Sequence, residues 1–389
     1  VFMNNFRFYA PTDIRFGKGQ ADCLPEELEK YGKRILMVYG GGSVKRSGLY
    51  DRLQELLKEF EIFELPGIEP NPKITSVRKG VEICKKEQID VILAVGGGSC
   101  IDASKNIACG AFYEGDPWDL VLDRTKITKA LPLAVVLTIC ATGSEMNNGA
   151  VISNEETNEK LEMGADVLYP KISICDPTYL YTLPPAQTAA GTADIMSHVL
   201  EQYFQPCDTA WLTDRLSEEV LKTCIRYCPV ALEEPENYEA RANLMWASTL
   251  GLNHILTAGK GGAWSCHPME HQLSAFYDIT HGAGLAILTP AWMRYVLCDR
   301  TAGRFALYAR QVWDVEAEDD YQAAEEGICC TESFFRKIGL PSTLSEVGIG
   351  REHFREMAEK AVEVSGIAAR SYYHLGAEDI VKIFESCLG

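Results

Sequence analysis

At 389 residues the chain is long enough for two domains, and its 47% hydrophobic and 24% charged content is ordinary for a soluble globular enzyme. A formal charge of -18 argues against nucleic acid as a partner, since little here would neutralise a phosphate backbone. No apolar run approaches the roughly 18 residues of a membrane span, and the N-terminus has no basic segment leading into an apolar core, so neither a span nor a secretory signal is expected.

Phe6 to Phe16 alternates apolar and polar residues around Pro11-Thr12-Asp13 and predicts a hairpin turning at the proline. Arg34 to Tyr39 predicts a short apolar strand that runs into Gly40-Gly41-Gly42-Ser43, with a helical pattern from Val44 to Phe60. Phe63 to Gly67 predicts another strand, Pro70-Asn71-Pro72 breaks the chain, and Ile74 to Lys86 predicts a helix. The first pattern then returns. Asp90 to Val95 leads into Gly96-Gly97-Gly98-Ser99, with a helix from Ile101. A further apolar strand, Leu133 to Thr138, ends in Ala141-Thr142-Gly143-Ser144-Glu145, and Val151 to Cys175 predicts antiparallel strands and turns.

Strand, glycine loop and helix, repeated at about fifty residues, is the rhythm of a parallel sheet covered by helices. Beyond Pro184-Pro185 that rhythm stops, and long helical patterns take over at Leu212–Cys228, Tyr238–Leu256 and Glu352–Ser365. The expected architecture is therefore a two-domain chain. Residues 1–184 form an N-terminal α/β, Rossmann-like domain with a parallel sheet, and residues 185–389 form a C-terminal all-α domain.

Fourteen cysteines are scattered along the chain, several inside strongly apolar segments (Cys84, Cys109, Cys140, Cys175). Buried free thiols in a reducing cytosol explain them better than a disulfide framework, which gives a cytoplasmic expectation. Cys224 and Cys228 are one helical turn apart and Cys329-Cys330 are adjacent, but neither has a second pair at zinc-ribbon spacing.

Parallel sheets bind ligands beyond the carboxyl ends of their strands, where glycines let a phosphate approach the free N–H groups of a helix N-terminus. Gly96-Gly97-Gly98-Ser99, with Asp102 and Lys105 following at helical spacing, fits that need. A tight turn without ligand is the plainer reading of one such loop. Two loops, with Thr138 and Thr142-Gly143-Ser144 at a third strand end, favour a nucleotide. Neither Gly-x-Gly-x-x-Gly nor a Walker-type Gly-Lys-Ser/Thr is present. Dinucleotide sites that select NAD usually place an acid on the ribose 2′-hydroxyl. Gly40-Gly41-Gly42-Ser43 offers none and is followed by Lys45 and Arg46, an arrangement suited to the 2′-phosphate of NADP, unless both cations are merely solvated.

Five of the seven histidines lie between positions 198 and 281. Asp194 and His198 are four apart and share one face of a helix, and His267 and His271 repeat that spacing. An aspartate with three histidines makes a first shell for a divalent transition metal with a position open to substrate. His267-Pro268-Met269-Glu270-His271 also matches the inverted zinc-peptidase pattern His-x-x-Glu-His, with Glu270 as base. That reading leaves Asp194, His198 and His281 without roles and the glycine loops without use. No Gly-x-Ser-x-Gly elbow supports a serine nucleophile.

Taken together, the Phe6-x-Phe8-Tyr9 opening, Gly96-Gly97-Gly98-Ser99-x-x-Asp102-x-x-Lys105, Thr142-Gly143-Ser144-Glu145 and the series Asp194-x3-His198…His267-x3-His271-x9-His281 resemble the iron-containing (group III) alcohol dehydrogenase family across nearly the whole chain. Gly40-Gly41-Gly42-Ser43-Val44-Lys45 is most similar to its NADPH-dependent butanol dehydrogenase and aldehyde reductase branch, whereas NAD-preferring branches tend to carry an aspartate where Gly40 stands.

The resemblance implies a cofactor and a metal in an interdomain cleft, with Asp194, His198, His267 and His281 as ligands of Fe²⁺ (or of Zn²⁺ or another divalent ion). His271 would serve proton relay without binding metal. NADP(H), with NAD possible, would contact Gly40, Gly41, Gly42, Ser43, Asn71, Gly97, Gly98, Ser99, Asp102, Thr138, Thr142, Ser144 and Lys160. The implied reaction is hydride transfer between the nicotinamide and a small aliphatic alcohol or aldehyde of the butanol/butanal type, and the implied assembly is a homodimer. Apolar Trp246, Leu250, Leu252, Trp264 and Phe276 are candidates to line a substrate pocket or simply to fill helix cores. The alternatives are a glycerol-type polyol dehydrogenase or a dehydroquinate-synthase-like enzyme using NAD and zinc, and, from another class, a non-catalytic nucleotide-binding scaffold.

Overall fold

The computed structural model describes residues 2–389. They divide into two compact units. One unit comprises 9–183 together with 234–249, and the other comprises 2–8, 184–233 and 250–389.

The first unit is built on a six-stranded sheet. Its strands are β1 (Asp13–Phe16), β2 (Arg34–Tyr39), β3 (Glu61–Leu65), β4 (Val91–Gly96), β5 (Leu133–Leu137) and, after a separate hairpin of β6 (Gly149–Asn154) and β7 (Glu159–Gly164), β8 (Ile172–Cys175). The spatial order is β1-β8-β5-β4-β2-β3, and every pairing is parallel. Every residue of β4 and β5 is buried, as expected of strands covered by helices on both faces. One layer of the core joins Ile35, Met37, Val91, Leu93, Val95, Ala134 and Val136 of the sheet to Leu24, Leu28, Leu49 and Leu53 of the helices.

The helix Gly98–Gly110 follows β4 directly and is buried along its length except at Ser99. A helix buried all round must satisfy its polar side chains internally. Lys105 does so by donating to Ser144 Oγ at 2.7 Å, Asn147 Oδ1 at 2.9 Å and the Gly149 carbonyl at 2.7 Å.

Three local expectations change. The hairpin over Phe6–Phe16 does not form: only Asp13–Phe16 is a strand, and it pairs in parallel with β8. Of the residues before it, 2–8 belong to the other unit, where the Asn4 N–H donates to the Gly259 carbonyl at 2.9 Å, and Tyr9 stays with the strand's own unit, meeting Tyr169 edge to face. The helix expected over Val44–Phe60 is two helices, Ser43–Arg46 and Leu49–Leu56, separated at Gly48, whose φ of 78° ends the first. Within Val151–Cys175 only β6 and β7 are antiparallel, while β8 returns to the parallel sheet. The segment Glu234–Thr249 belongs with the α/β unit because Thr249 Oγ1 bonds Glu145 Oε1 at 2.6 Å and Trp246 meets Phe16 edge to face at 6.0 Å.

The second unit is helical, with no ladder strand among the described residues. Its longer helices are Pro185–Tyr203, Trp211–Glu233, Cys266–Tyr277, His281–Val296, Ala302–Trp313, Asp320–Lys337, Phe354–Val364 and Ala377–Ser386. No helix among the described residues is long and apolar enough to cross a membrane.

Candidate metal centre and cofactor loops

The helix Pro185–Tyr203 is buried continuously from Thr188 to Tyr203. Asp194, His198 and Glu201 follow at intervals of four and three, so one buried stripe carries a carboxylate, an imidazole and a second carboxylate. Such a stripe is stable only with partners. Two come from other helices of the same unit: His267 near the start of Cys266–Tyr277, and His281 opening His281–Val296. The latter helix can begin there because its second residue is Gly282. A Cβ at that position would stand 2.6 Å from the carbonyl carbon of Ala190, one turn ahead of Asp194.

All three imidazoles converge on one oxygen. Asp194 Oδ1 lies 3.5 Å from His198 Nδ1, 3.7 Å from His267 Nε2 and 3.5 Å from His281 Nε2. The rings of His198 and His267 stack at 4.6 Å, and Trp264 covers both at 5.7 and 4.7 Å. Asp194 Oδ1 and His267 Nε2 are buried without a hydrogen-bond partner. Buried polar atoms are nearly always paired, so this arrangement asks for something to bind. Donors about 2.1 Å from a tetrahedral ion stand roughly 3.4 Å apart. The spacing around Asp194 therefore fits a divalent ion such as Fe²⁺ or Zn²⁺; Asp194, His267 and His281 offer donor atoms that are all mutually close, while His198 is close to Asp194 Oδ1 at 3.5 Å and falls outside that group.

Two further carboxylates stand behind the imidazoles. Glu201 Oε1 accepts the His267 backbone N–H at 2.8 Å and faces its Nδ1 at 3.3 Å, and Oε2 accepts the Ser265 N–H at 2.7 Å. Glu270, fully buried, bonds His281 Nδ1 with one oxygen and accepts Ser274 Oγ–H with the other. Burial opposes a charge on Asp194, yet His198, His281 and His267 hold its carboxyl well below the usual range. Burial also opposes a charge on His267, but Asp194 and Glu201 on either side push it up to about 9.

His271 stands beside this cluster, its ring 5.6 Å from that of His281 and 6.1 Å from that of His267. Its donor atoms, with those of Glu270 and His281, fall within 4.8 Å of one another, as do those of Asp194, His267 and His281. The peptidase pattern does not assemble its base: Glu270 is turned to His281 and Ser274.

In the α/β unit, Gly97 caps the helix Gly98–Gly110, and the Thr138 N–H donates to the Gly96 carbonyl at 3.0 Å, which ties the second and third strand-end loops together. Thr142 packs on Gly98, and its Oγ1 accepts the Ser144 N–H at 3.2 Å. Ser99 is the helix residue left accessible. Asn71, in the left-handed region at φ 53°, accepts Lys160 Nζ at 2.9 Å. Gly40 to Ser43 leave β2 with exposed backbone at Gly41 and Gly42. Lys45 Nζ lies 4.6 Å from the Tyr50 ring centre and 5.6 Å from that of Tyr39. Asp102 and Ser144 are engaged inwardly: Asp102 Oδ1 accepts Ser144 Oγ–H at 2.6 Å, and Oδ2 accepts the Val151 N–H at 2.9 Å. Burial raises Asp102 above the usual range against the pull of Lys105 and these bonds.

Among the residues singled out from sequence, Asp194, His198, His267, His271 and His281 gather in one unit, and the glycine loops with Asn71, Thr138, Thr142 and Lys160 lie in the other. Glu201 and the bond from Glu270 to His281 were not expected. Glu201 carried a signal, an acid in register with Asp194 and His198 on an otherwise buried helix. The contact of Glu270 crosses helices and has no spacing to read.

The sequence profile described as iron-containing alcohol dehydrogenase matches residues 11–177, and that for the C-terminal part of the Fe-containing alcohol dehydrogenase family matches 188–388. The chain is 54% identical over 386 residues to NADH-dependent butanol dehydrogenase A of Clostridium acetobutylicum, covering 98% of this chain and 99% of the relative. It is 39% identical over 364 residues to the NADPH-dependent aldehyde reductase YqhD of Escherichia coli, covering 93% and 94%. The crystal structure of NADH-dependent butanol dehydrogenase A from Thermotoga maritima superposes with a TM-score of 0.95 at 39% identity, over all of both chains. Profiles spanning both halves, relatives matched end to end and a shared fold lead to one conclusion: the chain belongs to the iron-containing alcohol dehydrogenase family.

Proposed function

We propose that the protein interconverts small aliphatic aldehydes and alcohols by hydride exchange with a nicotinamide cofactor, at a divalent ion held by Asp194, His198, His267 and His281. The observation that carries this reading is the convergence of three imidazoles on a buried Asp194 Oδ1 at distances too long for hydrogen bonds. When bound, such an ion supplies Lewis acidity toward a carbonyl oxygen. The chain contributes the rest. Asp194 and the three histidines would hold the ion, Trp264 packs against the rings of His198 and His267, and His271 would pass a proton to or from the alcohol oxygen. Gly97, Gly98 and Ser99 present a helix N-terminus to the cofactor phosphates, with Thr138 and Thr142 beside it and the bonded pair Asn71 and Lys160 as further cofactor contacts.

NADP(H) is the cofactor that the first loop favours. Gly40, Gly41 and Gly42 bring no acid to repel a 2′-phosphate, Ser43 offers a hydroxyl, and Lys45 and Arg46 follow. NAD(H) is the competing reading, favoured by the NADH-dependent relative at 54% identity and by the placement of Lys45 over Tyr39 and Tyr50, beside Glu64. A homodimer is the proposed assembly, consistent with the exposure of Phe2, Phe6, Phe8 and Tyr9. The reducing cytosol is the proposed compartment, since the cysteines are free thiols.

The test is oxidation of NADPH and of NADH by butanal, with protein stripped of metal and reloaded anaerobically with Fe²⁺. Metal-dependent consumption of cofactor supports the reaction, and faster turnover of NADPH supports the finer assignment. Stoichiometric metal without turnover of either cofactor would overturn the reading.

A further inference from the structure

Asp194 and His198 need no outside help to share a face, because a single helix fixes their spacing. His267 and His281 arrive on other helices, and nothing in those helices alone decides which ring nitrogen each turns toward Asp194. The decision is made by the carboxylates behind them. Glu201 faces His267 Nδ1, and Glu270 bonds His281 Nδ1. In both rings it is therefore Nε2 that looks toward Asp194, at 3.7 and 3.5 Å. Each carboxylate is itself held by a second bond: Glu201 by the Ser265 and His267 backbone N–H groups at the start of Cys266–Tyr277, and Glu270 by the Ser274 hydroxyl.

We propose that Glu201 and Glu270 are positioning residues for the metal, each locking one imidazole with its Nδ1 occupied and its Nε2 directed to the ion. The inference rests on the metal reading above. A carboxylate behind a ligating imidazole fixes the tautomer and raises the basicity of the ligand, and losing one typically lowers metal affinity about ten- to hundredfold. Glu201 does a second task with the same atoms. Coming from the helix that carries Asp194 and His198, it receives the first amides of the helix that carries His267, so the two helices and three ligands are set by one side chain.

The experiment compares full-length wild type with Glu201→Gln and Glu270→Gln, each stripped of metal and titrated with Co²⁺ against a chelator. Thermal unfolding of each metal-free protein is recorded alongside. The proposal expects Co²⁺ affinity to fall about ten- to hundredfold in both variants, and the visible ligand-field bands of bound Co²⁺ to shift in position or intensity. Unfolding of the metal-free protein should move much less than metal affinity. Ser274→Ala, which frees Glu270 without removing it, should weaken Co²⁺ several-fold and serves if Glu270→Gln fails to fold. Glu201→Asp, which keeps the charge, serves the same purpose at the other carboxylate and should bind Co²⁺ with altered bands. Wild-type affinity and bands in the variants overturn the positioning role while leaving the metal reading intact. Wild-type protein that binds no Co²⁺ overturns the metal reading itself, and this inference with it.

Discussion

Thr142 packs so closely on Gly98 that a Cβ added at position 98 would stand 2.5 Å from Thr142 Oγ1 and 3.0 Å from its Cβ. The contact joins the start of the buried helix Gly98–Gly110 to the loop that follows β5. Alanine at a helical position is normally worth about 1 kcal/mol over glycine. Overpacking in a dense interior costs about 1–3 kcal/mol, and here the neighbour is a branched side chain that also bonds the Ser144 N–H. The clash should win. Gly98→Ala is expected to lower unfolding stability by about 1–2 kcal/mol and to weaken cofactor binding, both read by denaturant titration and cofactor fluorescence. Adding Thr142→Ala should recover part of the stability, and additivity of the two changes would show that this contact is not the cause.

Gly40 offers the opposite case. A Cβ there would meet only the Ile68 carbonyl oxygen at 3.4 Å and Cys100 Sγ at 3.8 Å, so a side chain fits. Gly40→Asp should therefore fold, and its carboxylate should repel a 2′-phosphate while accepting a ribose hydroxyl. The ratio of kcat/KM for NADPH over NADH should fall about tenfold, equivalent to roughly 1.4 kcal/mol. An unchanged ratio would place the 2′ position away from this loop.

These two glycines also show what a sequence can and cannot reveal. The repeated strand, glycine loop and helix made the parallel sheet legible because a fully buried strand needs a continuous apolar run. The pairing of Asp194 with His198 was legible because helical spacing puts them on one face. The hairpin over Phe6–Phe16 was misread because alternation records which faces are apolar, not which partner strand is met, and β1 found β8 about 160 residues on. The role of Glu270 was hidden for a similar reason: its bond to His281 is made across two helices. The bonds that Asp102 receives from Ser144 and Val151 come from the loop after β5 and from β6, and no spacing in the sequence records them.

On the proposed reading His271, whose ring lies 5.6 Å from that of His281, relays a proton and does not hold the ion, which Asp194 and the three imidazoles around it would bind. His271→Ala should retain one equivalent of metal by elemental analysis while kcat falls about a hundredfold, within the range for loss of a general acid. Loss of the metal in this variant would mean that His271 is a ligand. Full turnover would mean that solvent carries the proton.

The last prediction concerns protons and metal together. In the metal-free protein His267 is pushed up to about 9, because Asp194 and Glu201 outweigh the burial that opposes its charge. Its unfolded value is near 6.5. A raised value means that the stability it contributes is fully present below about 6.5 and is lost as pH rises through about 9. The metal-free protein should accordingly become less stable over that window, as far as this group decides. A ligating imidazole must give up the proton on its coordinating nitrogen, so metal binding between those limits should release a proton and weaken as pH falls. Calorimetric titration with Zn²⁺ at pH 7.5, in buffers of different ionisation enthalpy, should show close to one proton released per ion from this group. Zero release at that pH would mean that His267 is already neutral before the ion arrives, and that Asp194 and Glu201 do not hold its charge.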